Sequence, residues 1–358
     1  MFTLIVLDCV TKLKEERSAS AIYHLVTGKR SSQTLQDAHN YQLTDYFGIL
    51  KNLNRESFND KINNLKKDKF LELDSSGIAS VTVSGNDYMN KYMVATDTPF
   101  KGLKYDRIHT IFLKRLQLFI QTITNISSEN PSFIAITDDV PIQQWVKKLY
   151  KQNRDNLRIW IDGIYQELND FLNKLDDMDA SIFVDRLTGY KKVGLSKEQL
   201  AKKHEISVLD VELVIVKITH MLISYLIANR ESSPFLFEFT NNLFNHMFIT
   251  DSTAKTYRLM NKGFSIPTIA KMRQLKESTI QDHIVEIAYI DDHFNIEAYV
   301  NKNDVLEIVN VTNRLKTNKL KLIKTKLNNK YSYFQIRLVL AKARGGEGEV
   351  FIGKYTGE

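Results

Sequence analysis

The residues whose types and spacing best suit a binding chemistry lie near the end of the sequence. Between Val311 and Arg344 there are ten lysines and arginines and no aspartate or glutamate. Three aromatic residues, Tyr331, Tyr333 and Phe334, stand among them. Cationic side chains neutralise phosphates, and aromatic rings stack on bases. The segment therefore predicts a nucleic-acid surface, and the alternative is a solvated basic face of ordinary amphipathic helices.

The predicted contacts with nucleic acid combine this segment with an earlier basic turn. Lysine and arginine bind the phosphate backbone without reading the bases, so we expect contacts that are mostly independent of DNA sequence. The predicted residues are Lys271, Arg273, Lys276, Arg314, Lys316, Lys319, Lys321, Lys324, Lys326, Lys330 and Arg337.

Sequence motifs that indicate catalysis are absent from the 358 residues. The segment Gly28–Ser31 reads Gly-Lys-Arg-Ser, but it lacks the upstream glycine that lets a P-loop backbone wrap a phosphate. Neither G-x-S-x-G nor H-E-x-x-H occurs. The acidic cluster Asp176–Asp179 predicts a helix cap rather than a metal site, because aspartate is favoured at N-caps. We therefore predict that the chain is not an enzyme and that it has no cofactor or small-molecule substrate.

A helix-turn-helix motif precedes the basic segment and must position it. Thr253–Asn261 predicts a first helix, and Gly263 permits the positive φ that ends it. Ser265 is the expected N-cap of a second helix that includes Pro267–Arg273. A third helix is expected to begin near Glu277. This spacing is what a helix-turn-helix core requires.

The third helix of this motif is expected to bury Ile280, Ile284 and Ile287. The same periodicity predicts that Asp282 and Glu286 lie on its outward face. Two carboxylates there would repel phosphates. We therefore expect this helix to make backbone contacts at most and to read no bases.

The first hundred residues have the outline of a winged helix. Helices are predicted at Ser18–Val26, from Ser32, over Leu43–Leu53 and over Arg55–Leu65. The period then changes to two over Phe70–Val83, which predicts a β-hairpin. Winged helices bind either DNA or protein, and both alternatives stay open for this unit.

The middle of the chain is predicted to be helical. A second helix-turn-helix-like unit lies near residues 180–227, with a capping box at Ser196 and an N-cap at Ser207. The apolar stretch Val208–Ile227 contains charged residues and predicts a buried helix rather than a membrane span. No DNA contact is expected in this unit, because its long apolar face favours core packing.

Composition and periodicity together predict a mainly α fold: a multi-domain helical protein with an N-terminal winged-helix-like unit and a C-terminal helix-turn-helix domain. Glycine (14) and proline (5) are scarce, as in helical proteins. One cysteine and no targeting segment favour a cytoplasmic protein with no membrane partner. The predicted domains are residues 1–100, the winged-helix-like unit; 101–250, a helical domain; 251–344, the helix-turn-helix domain with basic C-terminal helices; and 345–358, a mobile tail.

The sequence resembles two known families, one in its C-terminal part and one over the rest of the chain. Thr256–Ile284 resembles the helicase helix-turn-helix domain found at the C-termini of some RecQ-like DNA helicases, and Tyr331–Ala341 resembles the closing helix of that domain. The rest of the chain, including Gly194–His204, is similar to the YpbB family of Gram-positive bacteria. The gene of that family typically neighbours one for a RecQ-type helicase.

The resemblance implies a RecQ-like DNA helicase as partner. With the helicase motor motifs missing and the C-terminal segment basic, we expect a non-enzymatic adaptor that places such a helicase on DNA in repair or recombination. The alternative is a helix-turn-helix transcription regulator that binds one specific DNA site. An enzyme of unknown type is the third hypothesis.

Overall fold

The structure is a computed structural model, and it describes residues 1–92, 98–244, 249–291 and 293–343. It is mainly α-helical with one small sheet, which confirms the predicted fold class. The strands are β1 (Leu71–Leu73) and β2 (Ala79–Val81). In chain order the α-helices of the described residues are α1 (Phe2–Leu13), α2 (Ala19–Val26), α3 (Ser32–Asn40), α4 (Arg55–Lys67), α5 (Val83–Tyr92), α6 (Gly102–Tyr105), α7 (Ile108–Ser127), α8 (Val140–Asn153), α9 (Leu157–Leu172), α10 (Asp177–Asp185), α11 (Lys197–His204), α12 (Val208–Ala228), α13 (Pro234–Phe237), α14 (Asp251–Met260), α15 (Ile266–Arg273), α16 (Glu277–Ile290), α17 (Lys302–Leu315), α18 (Leu320–Lys326) and α19 (Tyr333–Ala343).

Contacts divide the chain into two compact units. Of the described residues, unit 1 holds 1–2 and 98–244, and unit 2 holds 3–92, 249–291 and 293–343. Residues 3–92 therefore share one unit with residues 249–291 and 293–343, which are far from them in the sequence. The predicted division into three domains stays a prediction, and the predicted mobile tail, 345–358, lies outside the described residues.

The N-terminal part of unit 2 has the predicted outline of helices followed by an antiparallel hairpin. Ser31 is the N-cap of α3, and its Oγ accepts the N–H of Thr34 at 3.2 Å. α4 is the helix predicted over Arg55–Leu65, and it buries Phe58, Ile62 and Leu65. The hairpin pairs Leu71 with Val81 and turns at Gly77, which adopts a φ of +76°.

The helix predicted over Leu43–Leu53 is wrong. One 3-10 turn, Thr44–Tyr46, occupies this segment, and Gly48 follows it at a φ of +69°. Five consecutive residues, 46–50, are buried. The N–H groups of Gly48 and Leu50 donate to the carbonyls of Leu25 and Val26 in α2, at 2.9 and 2.8 Å, so the backbone of this segment bonds to α2 instead of forming a helix.

The C-terminal part of unit 2 contains the predicted helix-turn-helix, α14 to α16. Gly263 adopts a φ of +83° after α14, and the Oγ of Ser265 accepts the N–H of Thr268 at the start of α15. α16 then packs against α14, α15, α19 and also α3. As a result, every residue from His283 to Tyr289 is buried.

Unit 1 is built around the long helices α7 and α12. The predicted capping box at Ser196 is present, and the Oγ of Ser207 accepts the N–H of Asp210 at 3.0 Å. α12 is long and apolar enough to cross a membrane by length and composition. Most of it is buried within this unit, as the core helix of a folded domain would be.

Candidate nucleic-acid interface

Five exposed cations gather where α17 ends and α18 begins, and we call this surface the basic face. Of all residues in the described part of the chain, no acid forms an ion pair with any of them. The members of the basic face are Arg314, Lys316, Lys319, Lys321 and Lys326.

Local structure explains why these side chains point outward. Lys316 ends α17 in the left-handed conformation, with a φ of +48°, so that the chain turns sharply into α18. In α18 and just after it, Ile323 and Leu327 are buried in the core of unit 2. Their spacing leaves Lys321 on the opposite side of α18 and Lys326 on its flank, and both side chains are exposed.

Glu16 is the carboxylate beside this turn, and hydrogen bonds occupy it. It accepts a hydrogen bond from the Thr317 hydroxyl, one from the Tyr41 hydroxyl at 2.6 Å and one from the Asn318 N–H at 3.0 Å. Burial alone would raise the pKa of Glu16, but these hydrogen bonds and the nearby Lys319 hold it below its ordinary value. Glu16 therefore anchors the turn that carries the basic face.

Arg337 and Lys330 lie outside the basic face, because acids from other helices pair with them. Arg337 is largely buried and donates to Asp282 at 2.5 Å. Lys330 is exposed and lies 2.7 Å from a carboxylate oxygen of Glu307 and 3.5 Å from one of Asp304. These pairings use charge that the sequence analysis assigned to nucleic acid.

Arg273 holds the helix-turn-helix together. Its guanidinium donates to the Ser252 carbonyl at 2.8 Å, to the Ser252 hydroxyl at 2.9 Å and to the Thr256 hydroxyl. Lys271 and Lys276, on either side of the turn, are exposed and make no ion pair with an acid that the structure describes. That these residues bind nucleic acid stays a prediction.

The predicted acidic face of the third helix is not formed. Glu286 is buried and accepts hydrogen bonds from the Thr250 N–H at 2.6 Å and the Thr253 hydroxyl at 2.6 Å. Asp282 is half-buried beside Arg337. The start of α14 therefore covers Glu286, and α19 covers Asp282 through Arg337. Only the first turn of α16 keeps exposed side chains, among them Glu277.

The three aromatic residues of the basic segment have different environments. Tyr331 is buried, and its hydroxyl donates to Asp304 at 2.8 Å and to Glu307 at 2.6 Å. Phe334 is buried in the core of unit 2. Tyr333 is exposed, and the Lys324 ammonium lies 4.4 Å from the centre of its ring.

A second group of cations, which the sequence analysis did not select, lies on α8 in unit 1. A shallow groove there is lined by Gln144, Lys147, Lys148, Lys151 and Gln152. The spacing of the three lysines is visible in the sequence, but the neighbouring helices determine that they are exposed. Within the described ranges, no group of three or more His, Cys, Asp or Glu side chains is placed to hold a metal ion.

Comparisons with known proteins identify the family to which the chain belongs. A family model described as an RQC domain matches residues 4–96, which include the winged-helix outline, and one described as a helix-turn-helix domain matches residues 252–340. No solved structure matches the chain. Protein YpbB of Bacillus subtilis (strain 168) is 33% identical over 344 residues, which cover 95% of this chain and 97% of that protein. At this identity and coverage, the chain belongs to the YpbB family.

Proposed function

We propose that the chain is a non-enzymatic accessory protein that associates with a RecQ-like DNA helicase in the cytoplasm and binds DNA without sequence preference in repair or recombination. The observation that carries the DNA-binding part is the basic face. Its five exposed cations form no ion pair with an acid that the structure describes, so their side chains remain accessible to phosphates. Exposed lysines also bend and rotate freely, which suits contact with a regular backbone rather than with particular bases.

The environment of α16 supports the absence of base readout. In a DNA-reading helix-turn-helix, the recognition helix lies in the major groove and its N-terminal residues contact the base edges. Here residues His283–Tyr289 are enclosed by the core of unit 2. The first turn offers Glu277, whose carboxylate would meet phosphate oxygens. This geometry also counts against the transcription-regulator alternative.

The helicase partner is supported by the combination of domains in this chain. An RQC domain and a helix-turn-helix domain occur together here, and the printed sequence contains no Walker A motif. We propose that the motor is supplied by a separate RecQ-like helicase.

Two experiments test the proposal. For DNA, we expect the full chain to bind duplexes of unrelated sequence with similar affinity. Selection from random duplexes that returns one strong palindrome would contradict this and support a transcription regulator. For the partner, a tagged chain is purified from cells at low salt, with and without nuclease, and bound proteins are identified by mass spectrometry.

The purification needs a matched variant, in which Lys319, Lys321 and Lys326 are replaced by alanine. A helicase that is retained after nuclease treatment and by this variant is bound by protein contacts, as we expect. If the helicase is absent both after nuclease treatment and from the variant, its association with the unaltered chain was through shared DNA. If no helicase is recovered with the unaltered chain at low salt, the adaptor proposal is wrong.

A further inference from the structure

One aromatic ring remains exposed beside the basic face. Tyr333 is 44% exposed, whereas Tyr331 and Phe334 are 3% and 8% exposed. Tyr333 is the first residue of α19, and α19 packs against α18. The chain therefore holds this ring on a rigid helix, next to the helix that carries Lys321 and Lys326.

The surroundings of the ring match those of a base-stacking site. The Lys324 ammonium lies over one face of Tyr333, 4.4 Å from the ring centre, so the exposed area lies on the rest of the ring. Lys324 forms no ion pair with an acid in the described ranges. A base stacked on the open face would bring its own phosphate close to this cation and to the basic face.

We infer that Tyr333 is a stacking platform for an unpaired base, and that this region of unit 2 binds single-stranded nucleic acid in preference to duplex. The inference rests on the proposed function, because it assumes that the basic face binds nucleic acid. Bases within a duplex are stacked on one another and cannot offer a face to a side chain. A single strand can offer one, and stacking on an aromatic ring tolerates any base.

The test uses the full chain and three labelled probes of equal length: oligo-dT of 20 nucleotides, the same strand with abasic sites in place of the thymines, and a 20-bp duplex. Tyr333→Leu keeps an apolar side chain but removes the ring. We expect it to weaken oligo-dT binding by about 5- to 150-fold, the usual range for loss of one stacked base. Binding of the abasic strand and of the duplex should be unchanged.

Two further variants separate stacking from effects on the fold. Tyr333→Phe should bind oligo-dT like the unaltered chain, and Tyr333→Trp should bind at least as tightly, with its indole fluorescence quenched by the base. The inference is overturned if Tyr333→Leu binds oligo-dT normally, or if it weakens duplex and single strand by the same factor.

A comparison with the basic-face variant separates this inference from the proposed function. If replacing Lys319, Lys321 and Lys326 weakens binding but Tyr333→Leu does not, the DNA-binding function stands and the stacking platform is wrong. If the unaltered chain binds none of the three probes, both are wrong.

Discussion

Tyr289 of α16 stacks on His39 of α3, with ring centres 4.4 Å apart and ring planes 17° from parallel. The Tyr289 hydroxyl also donates to the side chain of Asn40 at 3.1 Å. The two residues come from the two stretches matched by family models, 4–96 and 252–340. In this chain the RQC and helix-turn-helix domains are therefore parts of one folded unit, with helices of one packed on helices of the other.

The stability of unit 2 is expected to fall as the pH is lowered from about 6.5 to 4. Burial lowers the pKa of His39 to about 4, and its buried Nε2 has no hydrogen-bond partner among the described residues. Between these pH values the unfolded chain binds the proton and the folded chain does not, so protonation favours unfolding by up to about 1.4 kcal/mol per pH unit. Urea midpoints at pH 7, 5.5 and 4.5, followed by far-UV circular dichroism, measure the effect.

His39→Phe is the matched variant for this prediction, because it keeps an aromatic ring on Tyr289 but cannot be protonated. We expect a smaller loss of stability on acidification, although not its disappearance. Burial also lowers the pKa of His283 to about 4, and that histidine acts in the same direction. A variant whose midpoints follow the unaltered chain at every pH would contradict the assigned role of His39.

Glu16→Gln is expected to destabilise unit 2 by about 1–3 kcal/mol. The glutamine can still accept a hydrogen bond, but it introduces a donor among groups that already donate: the Thr317 hydroxyl, the Tyr41 hydroxyl and the Asn318 N–H. Glu15→Gln, at the exposed neighbouring position, should change stability by less than about 0.5 kcal/mol. Equal effects of the two substitutions in urea denaturation would show that Glu16 does not anchor the turn.

Ile284→Asp is expected to unfold unit 2. Ile284 is fully buried at the centre of α16, and an unpaired carboxylate there costs several kcal/mol. Met272→Asp on α15 is the control, because Met272 is 54% exposed. Both tryptophans, Trp145 and Trp160, lie in unit 1, so the melting of unit 2 must be followed by circular dichroism rather than by tryptophan fluorescence. A variant that keeps the original melting curve would contradict the placement of α16.

Local signals explain which parts of unit 2 could be predicted from the sequence. The cap at Ser265, the turn at Gly263 and the apolar spacing of α16 depend on residues within a few positions of one another. The burial of Glu286 depends instead on residues that are distant in the sequence. The apolar spacing of α16 turns this side chain toward solvent, but Thr250 and Thr253 at the start of α14, 36 and 33 positions away, hydrogen-bond its carboxylate. Such packing leaves no local trace in the sequence.

The same distinction applies to the candidate site. Lys319, Lys321 and Lys326 could be predicted as exposed, because a lysine ammonium is almost never fully buried unless an acid pairs with it. The pairing of Arg337 with Asp282 could not be predicted, since the partners are 55 positions apart and meet only after α16 and α19 have packed. Charge counts in a sequence therefore overestimate the charge available to a ligand.

Replacing Lys319, Lys321 and Lys326 by alanine is expected to reduce the salt dependence of DNA binding. Each phosphate contact releases about 0.7 counterion on single strands and about 0.9 on duplex. Loss of three contacts should therefore make the log–log slope of affinity against salt less negative by about 2 to 3. The fold should be preserved, because all three side chains are exposed.

The matched control for this slope is the replacement of Lys147, Lys148 and Lys151, on the groove of α8, by alanine. It removes the same net charge from exposed positions in unit 1.

If the basic face binds the phosphates, the control should keep the slope of the unaltered chain, with only a small uniform loss of affinity from the lower net charge. Slopes that become less negative by the same amount in both variants would show that total charge, rather than the basic face, determines binding. If the log–log slope becomes less negative only in the α8 variant, the phosphates are bound by the groove of α8 instead. Fluorescence anisotropy with one duplex, from about 50 to 200 mM salt, separates the three outcomes.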